Sequence, residues 1–189
     1  MNTMRSSNLT NQFLIAMPSL ADPNFSHTVT YVCAHNEDGA MGIVINRPLD
    51  LDLGEVLRQM DMSSDSEVVD AIPVYHGGPV QTDRGFILHH SDTEWQSSLL
   101  VSNDIGIATS RDILQAIAEG RGPEETLIAL GYAGWGAGQL EDEIKENVWL
   151  SGPASLDIIF KTPSDQRWSA AAKILGVELD KLSPDVGHA

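Results

Sequence analysis

Apolar and polar positions alternate most clearly from His27 to His35. Val29, Tyr31 and Cys33 fall on one face there, and Thr28, Thr30 and Val32 on the other. A period of two is the signature of a strand. Asn36-Glu37-Asp38-Gly39 then turns the chain into a second apolar run, Met41 to Ile45, which predicts a β-hairpin. Ahead of it, Phe13 to Met17 forms a short strand closed by Pro18, and Ser19 to Phe25 forms a turn around Asp22-Pro23-Asn24. Downstream the period lengthens. Asp52 with Glu55 makes a capping-box-like start for a helix carrying Leu53, Val56, Leu57 and Met60.

Asp61 to Asp70 has four acids and no base, and is expected to be an exposed loop. Strands are predicted at Val74–His76, Gly85–His90, Ser98–Ser102 and Ile105–Ala108. Thr109 or Ser110 caps a helix with Ile113, Leu114 and Ile117, which Gly120 ends. Leu127 to Leu130 reads as a strand running into a glycine-rich loop, followed by an acidic helix near Gln139 to Glu146. Leu156 to Phe160 is apolar but too short to assign. Thr162, Pro163 and Asp165 mark the start of a last helix, and Gly176 marks its end. A hairpin first and then strands mixed with helices predicts an α+β domain with a mixed sheet, not strict βαβ alternation. That domain is placed at 11–183, between a loose leader (1–10) and a flexible tail (184–189).

Charge narrows the range of partners. The 189-residue chain holds 11 Lys and Arg against 27 Asp and Glu, a formal charge of −16. Nucleic-acid binding rests on cations that neutralise phosphates, so direct contact with DNA is disfavoured. A basic protein, a cation or a neutral ligand remains open. Cys33 is the single cysteine and allows no internal disulfide. The apolar run at 13–17 is too short for a signal sequence, and no stretch approaches the roughly 18 residues of a membrane span. A soluble, cytoplasmic protein without membrane contact or cofactor is the expectation.

Glycines and arginines at strand ends carry the candidate chemistry. Tyr132, Trp135 and Gln139 belong to a segment with Gly131, Gly134, Gly136 and Gly138. It could expose backbone amides and an aromatic platform to a ligand. No Gly-Lys-Ser/Thr follows, and acids fill the first turn of the next helix, so a phosphate loop is ruled out. The plainer reading is a tight turn with Tyr132 and Trp135 packed down. Asn46 and Arg47 end the hairpin and Arg84 opens a later strand. The two arginines suit either an anion clamp or internal ion pairs. His76-Gly77-Gly78 faintly echoes a hydrolase oxyanion loop, but no Gly-x-Ser-x-Gly nucleophile exists. His89 and His90 point to opposite faces of one strand, and no histidine has metal-ligand spacing, so no metal is expected. Cys33, mid-strand on an apolar face, reads as a buried hydrophobe.

Several of these segments, in order, resemble the AlgH/YqgE family of bacterial proteins. They include Phe13-Leu14-Ile15-Ala16-Met17-Pro18, Gly39-Ala40-Met41-Gly42, Ile45-Asn46-Arg47-Pro48 and Gly77-Gly78-Pro79-Val80. Arg84-Gly85-Phe86-Ile87-Leu88-His89, Gly131-Tyr132-Ala133-Gly134-Trp135, Gly138-Gln139-Leu140-Glu141 and Asn147-Val148-Trp149-Leu150 complete the set. The resemblance implies a single α+β domain with a bent, partly barrel-like sheet flanked by helices. It also implies an association with transcriptional control of alginate production, and no catalytic residue set. Three functions follow. The first is a non-enzymatic regulatory or adaptor protein that binds a protein or small ligand around Trp135, Arg47, His76 and Arg84. The second is an enzyme of unrecognised type using Arg47, Arg84, His76 or His89 in one pocket. The third is a direct DNA-binding regulator.

Overall fold

The computed structural model describes residues 8–92 and 94–179. The leader before Asn8 and the tail from 184 lie outside the described residues. Among those described, Leu9 is already fixed: its N–H donates to His35 Nδ1 at 2.9 Å, and its side chain packs in the core.

Ten strands form one mixed sheet curled into a half-barrel, with six α-helices around it. Along its main path the order is β10 (Trp149–Pro153), β1 (Gln12–Ala16), β2 (Val29–Asn36), β3 (Gly39–Val44), β9 (Thr126–Gly136), β6 (Val80–His90), β8 (Ile105–Ala108) and β7 (Ser98–Leu100). Two short strands, β4 (Pro48–Asp52) and β5 (Pro73–His76), pair with each other, and β5 also runs parallel to β9. The remaining pairs are antiparallel, as tight turns require. The predicted β2–β3 hairpin forms with its turn tightened to Glu37-Asp38, because Asn36 pairs with Gly39.

Strand β9 is the hub. Its first half takes β5 on one edge and β6 on the other. Its second half, from Ala133 to Gly136, exchanges β5 for β3. The segment expected to be a glycine-rich loop is therefore strand, paired along most of its length. The change of neighbour falls at Gly131, whose φ of 82° is open to glycine without strain. Here the chain leaving β5 crosses β9. His76 pairs with Leu130 on one edge, and Val80 pairs with Tyr132 on the other. Gly77 and Gly78 make the crossing. A Cβ on Gly78 would lie 2.1 Å from the Tyr132 carbonyl carbon, and one on Gly131 would lie 2.4 Å from the Gly78 oxygen. Only bare backbone fits.

Both faces of the sheet are buried. Val29, Tyr31 and Cys33 enter the largest apolar cluster with Phe86, Leu88, Ile105 and Ile107, and helices α5 (Leu156–Phe160) and α6 (Arg167–Ile174) close it. The opposite face of β6, β8 and β9 packs under α1 (Leu53–Gln59) and α3 (Arg111–Ala118). The third cluster joins Trp135, Trp149 and Leu140 of α4 (Gln139–Lys145). Each fully buried Leu or Ile in these layers contributes roughly 1.5–3 kcal/mol.

Local signals fared unevenly. Asp52 caps α1 by accepting the Glu55 N–H at 3.2 Å, as its spacing predicts. The expected loop at 61–70 hides a one-turn helix, α2 (Glu67–Asp70), capped by Ser66, and buries Met62. Thr162 does not cap the last helix. Its hydroxyl donates to the Asp157 carbonyl, and a 3-10 turn at Ser164–Gln166 precedes α6. Strands β4 and β10 have no clear sequence pattern because they are short and pair irregularly or at an edge.

The crossing yields a contrast. Gly78→Ala should destabilise by about 4 kcal/mol or more, since its Cβ strikes backbone that cannot move alone. Gly85→Ala, at an open position in β6, should be neutral or stabilising by about 0.4–1 kcal/mol. Chemical denaturation of the two variants checks both.

Candidate functional site

A broad concavity opens where the β2–β3 turn, the end of β9 and the start of β6 meet. It measures about 650 Å³ and is lined by Met41, Gln81, Arg84, Phe86 and Tyr132, with Asp38 at its rim. A second hollow of about 350 Å³ shares Ala34, Met41 and Phe86 with it and reaches Cys33, Leu99 and Ile107. Together they form one cleft with an apolar floor and a polar rim.

A bulge builds the rim. Between Val80, paired with Tyr132, and Gly85, paired with Leu130, β6 has four residues against the single Gly131 of β9. Residues 81–84 therefore leave the ladder, with Gln81 at a φ of 50°. Bulges of this kind re-aim side chains. Arg84 is exposed on this one. Its guanidinium lies 5.6 Å from the Phe86 ring centre and donates to Gln81 Oε1 at 3.4 Å. Among the described residues, no carboxylate is within ion-pair distance of Arg84, although the chain has 27 acids. Of the two readings given for Arg84, the internal ion pair is not seen among the described residues. Tyr132 is half-buried and meets Phe86 edge-on, with ring centres 5.5 Å apart.

The other expected site residues separate. Trp135 is among the residues lining the cleft, but it is buried, with 7% of its surface accessible, so of the two readings of this segment the packed-down one holds for it. Three residues after Tyr132, its side chain takes the opposite face of β9. It stacks there on Phe25 and meets Trp149 edge-on. Its indole N–H donates to Glu143 Oε1 at 2.9 Å, and Trp149 donates to the same oxygen at 2.9 Å. Gln139 completes this knot, accepting the Gly136 N–H and donating to Glu143 Oε2, each at 3.0 Å. Glu141, like Glu143, is engaged. Glu141 Oε2 accepts from His35 Nε2 at 3.1 Å.

Asn46 and Arg47 tie down the turn ahead of β2. Asn46 accepts the Val29 N–H and donates to the His27 carbonyl, both at 2.9 Å. Arg47 donates to the carbonyls of Pro23 (2.6 Å) and Ser26 (2.7 Å), neither an anion nor an ion-pair partner. His76 is half-buried and gives its backbone N–H to the Arg47 carbonyl. The Gly77 N–H is held by the Leu130 carbonyl, so Gly77 and Gly78 serve the strand crossing and form no oxyanion hole. His89 and His90 do point apart. His89 is buried, and His90 bonds Glu125 at 2.6 Å. Cys33 sits at a bulge in β2, where burial pushes its thiol well above the ordinary range. Its S–H stays neutral.

Sequence reasoning missed Arg167. Only 5% exposed, it donates to the carbonyls of Thr162 and Ile45 and lies 5.1 Å over the Tyr75 ring. No pattern marked it, because its partners are backbone oxygens, one of them 122 residues away.

A half-barrel α+β domain with a glycine-locked crossing and a cleft at its β6 bulge defines the class of protein. The chain belongs to the AlgH-like family (DUF179), whose family model matches residues 13–180. It is similar to a UPF0301 protein of Thioalkalivibrio sulfidiphilus, with 63% identity over 97% of this chain and 98% of that protein. A UPF0301 protein of Nitrosococcus oceani is 54% identical over 95% of this chain and 96% of its own. The solution structure of the AlgH protein from Pseudomonas aeruginosa matches with a TM-score of 0.80 and 52% identity, covering 100% of both chains. Protein DIP2367 of Corynebacterium diphtheriae shares the fold alone, with a TM-score of 0.74 at 18% identity, over 93% of this chain and 91% of its own. Among the described residues, no helix is long and apolar enough to cross a membrane.

The Glu143 knot has a measurable worth. Glu143→Ala leaves two indole N–H groups without their acceptor, at a cost of about 2–4 kcal/mol. A lower denaturation midpoint with red-shifted tryptophan emission is the expected result.

Proposed function

We propose that this chain is a regulatory protein that acts by binding a ligand in the cleft at the β6 bulge, and influences gene expression indirectly. The observation that carries this reading is the combination at Arg84. An exposed guanidinium, with no carboxylate partner among the described residues, stands beside the Phe86 and Tyr132 rings, above an apolar floor of Ala34 and Met41. A planar guanidinium favours a carboxylate or similar anion, and the aromatic wall favours a flat or apolar body. The cleft therefore suits an amphipathic small molecule carrying one anionic group. Its volume lies within the range of small-molecule sites.

The alternative of an enzyme centred on Arg47, Arg84, His76 and His89 draws less support. Arg84 and His89 line different cavities, and Arg47 is committed to turn carbonyls. Direct DNA recognition draws least, given a formal charge of −16.

The test is purification from native cells followed by mass spectrometry of co-purified small molecules, with three proteins compared. Wild type should carry an anionic amphiphile. Arg84→Ala should lose it with stability changed by less than about 0.5 kcal/mol, as for an ordinary surface substitution. Met41→Trp, which fills the floor, should lose it too. Arg84→Ala fully complementing a deletion phenotype would refute the reading.

A further inference from the structure

The two ends of the sheet are protected unequally. Strand β10 stops at Pro153 and has α4 and α6 packed against it. At the other end, among the described residues, β7 pairs with β8 alone. Natural sheet edges are blunted with Pro, Lys, a bulge or a covering element. Ser98, Leu99 and Leu100 include neither Pro nor Lys, pair with β8 in regular register, and are all exposed.

The ladder determines which backbone groups lie free. The Thr109 N–H donates to the Ser97 carbonyl, and the Val101 N–H to the Ile105 carbonyl, each at 2.9 Å. Ser97, Leu99 and Val101 therefore turn toward β8. The alternate residues, Ser98 and Leu100, turn their N–H and carbonyl groups outward. The loop ahead of β7 is drawn instead to the start of α3. There the Gln96 N–H donates to Asp112 Oδ2 at 2.8 Å, and the Ser97 N–H to Ser110 Oγ at 3.2 Å.

Side chains offer an apolar grip on both faces of this edge. Leu99 is 58% exposed beside the hollow that reaches Cys33 and Ile107, and Leu100, 65% exposed, takes the opposite face. The surrounding charge has one sign. No Lys or Arg occurs between Arg84 and Arg111, while Asp92, Glu94 and Asp104 are all exposed. None of these acids forms an ion pair among the described residues. A second copy suits the edge poorly. Pairing Ser98 of one copy with Leu100 of the other would turn Asp104 toward Glu94, and like charges set opposite one another are destabilising. A strand bearing Lys or Arg meets the opposite sign.

We infer that β7 is a docking edge, which takes an extended basic segment of another protein as an added strand. Backbone bonds from Ser98 and Leu100 hold that segment, and the two leucines grip apolar residues at its middle. Its Lys or Arg residues lie toward the ends, facing the acids. Arg84 lines neither hollow that these leucines border, so this inference and the cleft ligand stand or fall independently.

The probe is a capped peptide, Lys-Lys-Val-Thr-Val-Lys-Lys, with a counterpart carrying Glu in place of Lys. Each is titrated into the full chain, and hydrogen exchange at individual amides is followed by NMR. The lysine peptide should bind with a Kd of about 0.1 mM, and the glutamate peptide about tenfold more weakly or worse. With the lysine peptide saturating, the Ser98 and Leu100 amides should exchange about tenfold more slowly. Leu100→Pro removes an outward N–H, a change that edge strands tolerate, and should weaken the peptide about tenfold. Leu100→Lys, which keeps the backbone unchanged and adds a repelling charge, should weaken it about fivefold. The inference is overturned if the glutamate peptide binds as tightly, if both amides stay unprotected with peptide bound, or if both variants bind like wild type. Protection of the two amides without peptide overturns it too. Protection that grows with protein concentration assigns the edge to a second copy, and protection that does not assigns it to another segment of this chain.

Discussion

The fold depends on one close approach of backbone to backbone. Strand β9 is flanked by β5 and β6 at the same residues, yet those two strands are consecutive in the chain. The connection must cross β9, and it has only Gly77, Gly78 and Pro79 in which to do so. Carbonyl and amide groups meet at distances that any Cβ would violate. The same crossing lets β3 take over the edge that β5 leaves, through the Val44 N–H bond to the Gly77 carbonyl. The curl of the sheet, the β6 bulge and the position of the cleft all follow from that junction.

Much of the fold was legible because its signals are local. The period of β2 gave its two faces correctly, and Asp52 gave the start of α1. The turn residues Asn36 to Gly39 gave the hairpin. What could not be read was set by pairing between distant segments. The run from Gly131 to Gly136 has a composition typical of loops, but its glycines answer to neighbours far earlier in the chain, from Gly78 back to Gly39. Strand β10 exists because β1 offers it an edge, and nothing inside Trp149 to Pro153 reveals that.

Of the residues singled out for function, Arg84, Tyr132 and Trp135 line the cleft, and of these Trp135 is buried. The rest, and Trp135 with them, were conspicuous for structural reasons. Asn46 and Arg47 fasten a turn, Gly77 and Gly78 allow the crossing, and Trp135 and Gln139 share Glu143. Polar groups in this chain are often spent on backbone carbonyls and amides far away in sequence, a role that leaves no spacing to recognise. His89 shows the converse. It was discounted as a metal ligand, and the fold buries its Nε2 against Gly106 with no hydrogen-bond partner among the described residues, which no spacing reveals.

The bulge at 81–84 carries a wider consequence. Residues in a ladder cannot be changed in number without shifting every partner downstream. These four stand outside it, anchored at Val80 and Gly85, and answer to no opposing strand. Their length and chemistry can drift while the barrel keeps its register. A protein built this way can acquire new recognition preferences by editing one short overhang, with its folding left untouched.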